Sequence, residues 1–118
     1  MNDIDKVDFI RHCFDKILSD NFYLNALESK CFLNQIELEF YGIPEFDEFL
    51  IKFFPNITPM QYSIIKRESW GIYTEEDTRY LSEGEIKYTK YKYICDFANL
   101  YDALEKVNAP IIKTAILK

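Results

Sequence analysis

The chain has 118 residues, a net charge of −6 and three cysteines, with hydrophobic residues at 48% and aromatics at 17%. So apolar and aromatic a composition excludes a disordered chain, and the acidic balance argues against a nucleic-acid binder, which must displace counterions from phosphates. Three widely spaced cysteines do not make a disulfide framework, no apolar run nears the length of a membrane span, and the acidic start is unlike a secretory signal. These features predict one cytoplasmic domain over residues 1–118.

The charge is uneven. Residues 1–59 carry five Lys and Arg against eleven Asp and Glu, whereas residues 60–118 carry nine of each. No basic residue lies between Lys30 and Lys52, a stretch that holds Glu37, Glu39, Glu45, Asp47 and Glu48. Such a run is either a solvated face or a surface for a basic partner.

In chain order, Ile4, Val7, Ile10, Cys13, Phe14 and Ile17 recur at three- and four-residue steps, which predicts a helix from about Asp3 to Ser19. Asp3, Asp5 and Asp8 suit its positive end, and Asp20-Asn21 supplies a turn. From Phe22, the spacing of Leu24, Leu27, Cys31 and Phe32 predicts more helix. Ile36, Leu38 and Phe40 then alternate with Glu37, Glu39 and Tyr41. Alternation suits a strand, yet Gln, Glu and Leu are good helix formers, so residues 33–41 stay open between the two.

Pro44 fits the first turn of a third helix with an aromatic face of Phe46, Phe49, Phe53 and Phe54. Thr58-Pro59 reads as an N-cap followed by a first-turn proline. The helix it opens runs to about Ser69, buries Met60, Ile64 and Ile65, and stops at Gly71. Thr74 with Glu75, Glu76 and Asp77 has the chemistry of a helix start, and with only Tyr80 and Leu81 apolar after it a short helix or structured loop is expected. Residues 86–95 are open between strand and helix, and the spacing of Phe97, Leu100, Tyr101 and Leu104 predicts a helix from Asp96 to Val107. Pro110 breaks it, and Ile111–Leu117 is expected to dock on the core. The fold these elements predict is mostly α, a compact helical bundle with room for a small β-sheet, the alternative being α+β.

Catalytic chemistry finds little support. His12, the only histidine, sits beside Cys13, and sequence neighbours on a helix point apart. The cysteines lack zinc-ligand spacing, three isolated glycines cannot build a phosphate loop, and neither a metal nor another cofactor is expected. Lys87, Lys90 and Lys92 interleave with Tyr88, Tyr91 and Tyr93, which reads as tyrosines packing while lysines reach water. Trp70 and Tyr73, ahead of Glu75, Glu76 and Asp77, form a second aromatic and acidic segment suited to a basic partner, the alternative being that Trp70 simply fills the core. The expected partner-binding residues are therefore Glu37, Glu39, Glu45, Asp47 and Glu48, with Trp70, Tyr73, Glu75, Glu76 and Asp77.

In overall character, with its acidic aromatic stretches at Glu37–Glu48 and Trp70–Asp77, the chain resembles bacterial immunity proteins of contact-dependent growth inhibition systems. The resemblance spans the whole chain and rests on no motif. It implies a non-enzymatic protein that neutralises a cognate toxin, often a basic nuclease, by covering its active or substrate-binding surface. Two alternatives are a phage- or plasmid-encoded inhibitor or adaptor that mimics nucleic acid, and a small metal-dependent hydrolase built on clustered carboxylates.

Overall fold

A computed structural model of the chain describes residues 2–19, 26–81 and 84–109. The order of elements is α1 (Asp3–Ser19), β1 (Glu28–Cys31), β2 (Gln35–Phe40), α2 (Ile43–Phe53), α3 (Pro59–Ser69), β3 (Trp70–Leu81), β4 (Gly84–Asp96) and α4 (Phe97–Lys106). The strands form one antiparallel sheet in the order β1-β2-β4-β3. The fold is α+β, and the expectation of a mostly helical bundle is corrected.

The helices form where local signals and burial agree. In α1, Asn2 accepts a hydrogen bond from the Asp5 amide (2.9 Å), and Ile10, Cys13 and Phe14 line the buried side. In α3, Thr58 and Gln61 make a reciprocal capping box, the hydroxyl accepting from the Gln61 amide and the Gln61 side chain from the Thr58 amide. The Asp96 side chain accepts from the Ala98 and Asn99 amides to open α4. The helix α2 starts at Ile43, with Pro44 in its first turn.

The sheet appears where tertiary pairing overrides local propensity. Residues 35–40 alternate in sequence, and Ile36, Leu38 and Phe40 are fully buried opposite Cys95, Tyr93 and Tyr91 of β4. That burial decides for strand against the helix preference of Gln, Glu and Leu. The helix expected across residues 22–32 is replaced over Glu28–Cys31 by β1, while its start at residues 22–25 and the turn at Asp20-Asn21 lie outside the described residues. The short helix or structured loop expected at Thr74 does not form. Twelve register pairs, from Trp70 opposite Cys95 to Leu81 opposite Gly84, hold that segment as β3. Gly71 therefore lies within a strand, and α3 ends at Ser69, where Trp70 turns to extended backbone (φ −110, ψ 125). Met60, expected inside, is exposed, while Ile65 is buried. The Pro110 break and the Ile111–Leu117 tail lie outside the described residues.

All four helices contribute to a core on one face of the sheet. Phe46, Phe49, Leu50 and Phe53 of α2 meet Ile36, Leu38, Phe40 and Tyr93. Phe14 packs on Phe53 at 4.4 Å and on Phe97 at 5.5 Å, and Phe46 stacks on Tyr93 at 3.6 Å between ring centroids. Each such phenylalanine stabilises the fold by roughly 1.5–3 kcal/mol through burial. Asp47 joins α2 to α3, accepting hydrogen bonds from the Tyr62 hydroxyl (2.7 Å) and the Lys66 ammonium (2.9 Å).

Only residues 91–96 of β4 pair with β2, whereas β3 pairs with residues 84–95. The paired segments 75–81 and 84–90 thus run on as a two-stranded arm, and the molecule measures 53 Å along its longest axis against 28 and 23 Å.

Candidate functional site: the uncovered face of the sheet

Among the described residues the helices pack on one face of the sheet and none lies on the other. Strand alternation that sends Ile36, Leu38, Tyr93 and Cys95 inward sends Glu37, Glu39, Lys90 and Lys92 outward, with Glu28 and Lys30 on β1 and Tyr73, Glu75 and Asp77 on β3. Among the described side chains this face sets five carboxylates against three ammonium groups.

The charges interlock. Lys90 stands opposite Glu75 (3.5 Å) and reaches diagonally to Glu39 (4.0 Å). Lys92 lies 3.6 Å from Glu37, and Lys30 lies 3.1 Å from Glu28 on its own strand. A hydrogen bond from Lys30 holds the Glu28 carboxyl below its usual range. Partial desolvation opposes the charge on Lys90, yet the attraction of Glu39 and Glu75 outweighs it and raises its pKa. At the middle of the face 16% of the Glu39 side chain is exposed, while at the rim 66% of the Glu75 side chain is. Ion pairs at a protein surface each add at most about 1 kcal/mol, so the arrangement matters chiefly as a charge pattern.

The two acidic segments expected from the sequence meet here in part. Glu39 from the first and Glu75 from the second share Lys90, with Glu37, Tyr73 and Asp77 on the same face. Tyr73 is 58% exposed, and its ring lies against Gly71, where an added Cβ would sit 3.4 Å from a ring carbon. The remaining expected residues go elsewhere. Glu45, Asp47 and Glu48 belong to α2, in the helical layer. The Glu45 carboxylate folds back against Gly42, Asp47 is engaged by Tyr62 and Lys66, and Glu48 is exposed. Trp70 is buried, edge-on to Phe46 with centroids 5.1 Å apart. Glu76 is exposed at the β3 rim, on the opposite side of the strand from Glu75.

Sequence reasoning missed Glu28, Lys30, Lys90 and Lys92 as members of this face. The available signal was complementarity at the same step, Glu37 and Glu39 on one alternating segment against Lys90 and Lys92 on another. Tyr93 is buried as expected, but Lys90 and Lys92 reach carboxylates on neighbouring strands as well as water.

Elsewhere, His12 is exposed on α1, and burial pushes the Cys13 thiol up to about 11. Among the described residues no three His, Cys, Asp or Glu side chains form a group that could hold a metal ion, and no helix is long and apolar enough to cross a membrane. No protein-family model matches the chain, no curated protein matches its sequence, and no solved structure matches its fold.

Proposed function

We propose that this chain acts by binding, presenting the bare face of its sheet to a basic protein, and that it serves as an immunity protein neutralising a cognate toxin in the cytoplasm. One observation carries the reading: Lys90 joins Glu39 and Glu75, so carboxylates from distant parts of the chain share one face of the sheet, on which no described helix lies. Acidic surfaces accelerate encounter with basic partners and fix their orientation. A nuclease-like toxin presents such a partner, because the groove that holds phosphates must be basic. An acidic sheet laid over that groove blocks substrate and needs no chemistry of its own.

The test starts with tagged protein and an extract of the source cells, at low and at high salt. The captured partner is then purified and titrated against the wild-type chain, Glu75→Lys with Asp77→Lys, and Glu48→Lys as a control in the helical layer. One stoichiometric basic partner, bound at least about tenfold more weakly after the rim reversals and released by salt, is the expected result. A partner indifferent to the rim reversals, or the absence of any partner at both salt concentrations, contradicts the reading.

A further inference from the structure

The sheet's two edges differ. β1 is four residues long, and short edge strands are poor templates for further pairing. Among the described residues β3 has a neighbour on one side only, and it runs for twelve residues, roughly 40 Å at the rise of a strand. Its register with β4 is unbroken, without a bulge, and residues 70–81 contain no proline. Among the described residues the devices that usually blunt a long edge are missing, apart from the charged residues Glu75, Glu76, Asp77 and Arg79.

Those charges select the occupant. Antiparallel pairing of two β3 strands centred on Glu76 sets carboxylate opposite carboxylate, and only a register shifted toward Arg79, the one basic residue of the strand, brings a cation opposite Glu76. Centring it on Thr74 sets the same carboxylates opposite Gly71, Ile72 and Tyr73, so the second copy brings them no cation. A basic strand meets neither problem. Glu75 has Lys90 on its inner side and open space along the rim, and Glu76 points to the other side of the strand. Tyr73 and Ile72, 58% and 44% exposed and on opposite sides of β3, offer apolar contact next to the carboxylates.

We propose that the outer edge of β3 pairs with an extended, lysine- or arginine-rich segment of a protein partner, adding a fifth strand to the sheet. Backbone hydrogen bonds along the rim supply affinity, and the acidic run supplies the preference for basic sequence. The inference rests on the reading of the chain as a binder of basic protein and specifies how the partner is held.

The test uses the full chain, isotope-labelled for NMR, and a synthetic peptide of alternating lysine and threonine as long as β3. The expected result is binding, with exchange of the β3 amides that face away from β4 slowed at least about tenfold. Peptides N-methylated at alternate residues, or carrying glutamate for lysine, bind at least about tenfold more weakly, as does the chain with Glu75→Lys, Glu76→Lys and Asp77→Lys. Binding that leaves the β3 amides unprotected and ignores N-methylation overturns edge pairing and leaves the sheet face as the docking surface. No binding at millimolar peptide, or self-association that protects the same amides without peptide, also overturns it. The capture experiment with the whole partner separately decides whether the chain binds a basic protein at all.

Discussion

Lys90 and Glu75 face each other across the β3–β4 pair with 3.5 Å between ammonium and carboxylate, and the same ammonium lies 4.0 Å from Glu39. One cation thereby holds together two carboxylates that would otherwise repel. Lys90→Gln leaves Glu39 and Glu75 without it and makes the face more acidic. Thermal unfolding of Lys90→Gln is expected to shift down by a few degrees, while its association with the basic partner becomes faster, and differential scanning fluorimetry and stopped-flow mixing read the two effects. An unchanged midpoint shows that the three groups are not coupled.

The Tyr93 hydroxyl is buried and has no hydrogen-bond partner among the described residues. Burial, with the nearby Asp47 charge, keeps its phenol protonated far above the usual range. Tyr93→Phe removes an unsatisfied donor and keeps the stack on Phe46, so it is expected to stabilise the fold by about 1 kcal/mol in urea titration. Tyr62→Phe acts in the opposite sense. It deletes the bond to Asp47 and is expected to cost about 1–2 kcal/mol.

Phe46 touches Tyr93, Trp70 and Phe40 at the centre of the core. Truncation to alanine is expected to cost about 3–5 kcal/mol, enough to unfold a marginal domain. Thr58→Ala, which breaks the capping box of α3, is expected to cost about 1 kcal/mol. A matching pair of urea midpoints checks whether core and cap differ by that margin.

Cys31 is exposed at the end of β1, yet local desolvation and the Asp15 carboxylate push its thiol up to about 11. Iodoacetamide is expected to modify it more slowly than a free cysteine at pH 8, with the rate climbing as pH approaches 11 and Asp15→Asn speeding it. Cys13 and Cys95 are buried and should react only on unfolding. The folded chain keeps protons on Cys13 and Cys31 that the unfolded chain releases from the ordinary thiol value of 9.0 upward, so stability falls with rising pH between 9.0 and about 11.

The helices were legible because their signals are local. Thr58-Pro59, Pro44 and Asp96 each mark a start within one turn, and the stripe from Val7 to Phe14 needs only helical spacing. The long hairpin was not legible, because its stability comes from pairing. Thr74-Glu75-Glu76-Asp77 has the chemistry of a helix cap, and only β4 lying alongside makes it a strand. The site was half legible for the same reason. Acidity picked out Glu39 and Glu75 separately, but their meeting at Lys90 depends on a strand order that places β4 between β2 and β3. Trp70, an aromatic next to an acidic run, has the composition of an interface anchor and instead fills the core against Phe46.

The most direct test of the central claim is an NMR footprint of the purified basic partner on the labelled chain. The account predicts shifts at Glu37, Glu39, Tyr73, Glu75 and Lys90, with slowed exchange along β3 and little change at Glu48. A footprint centred on α2 and α3, with the sheet face undisturbed, would contradict it.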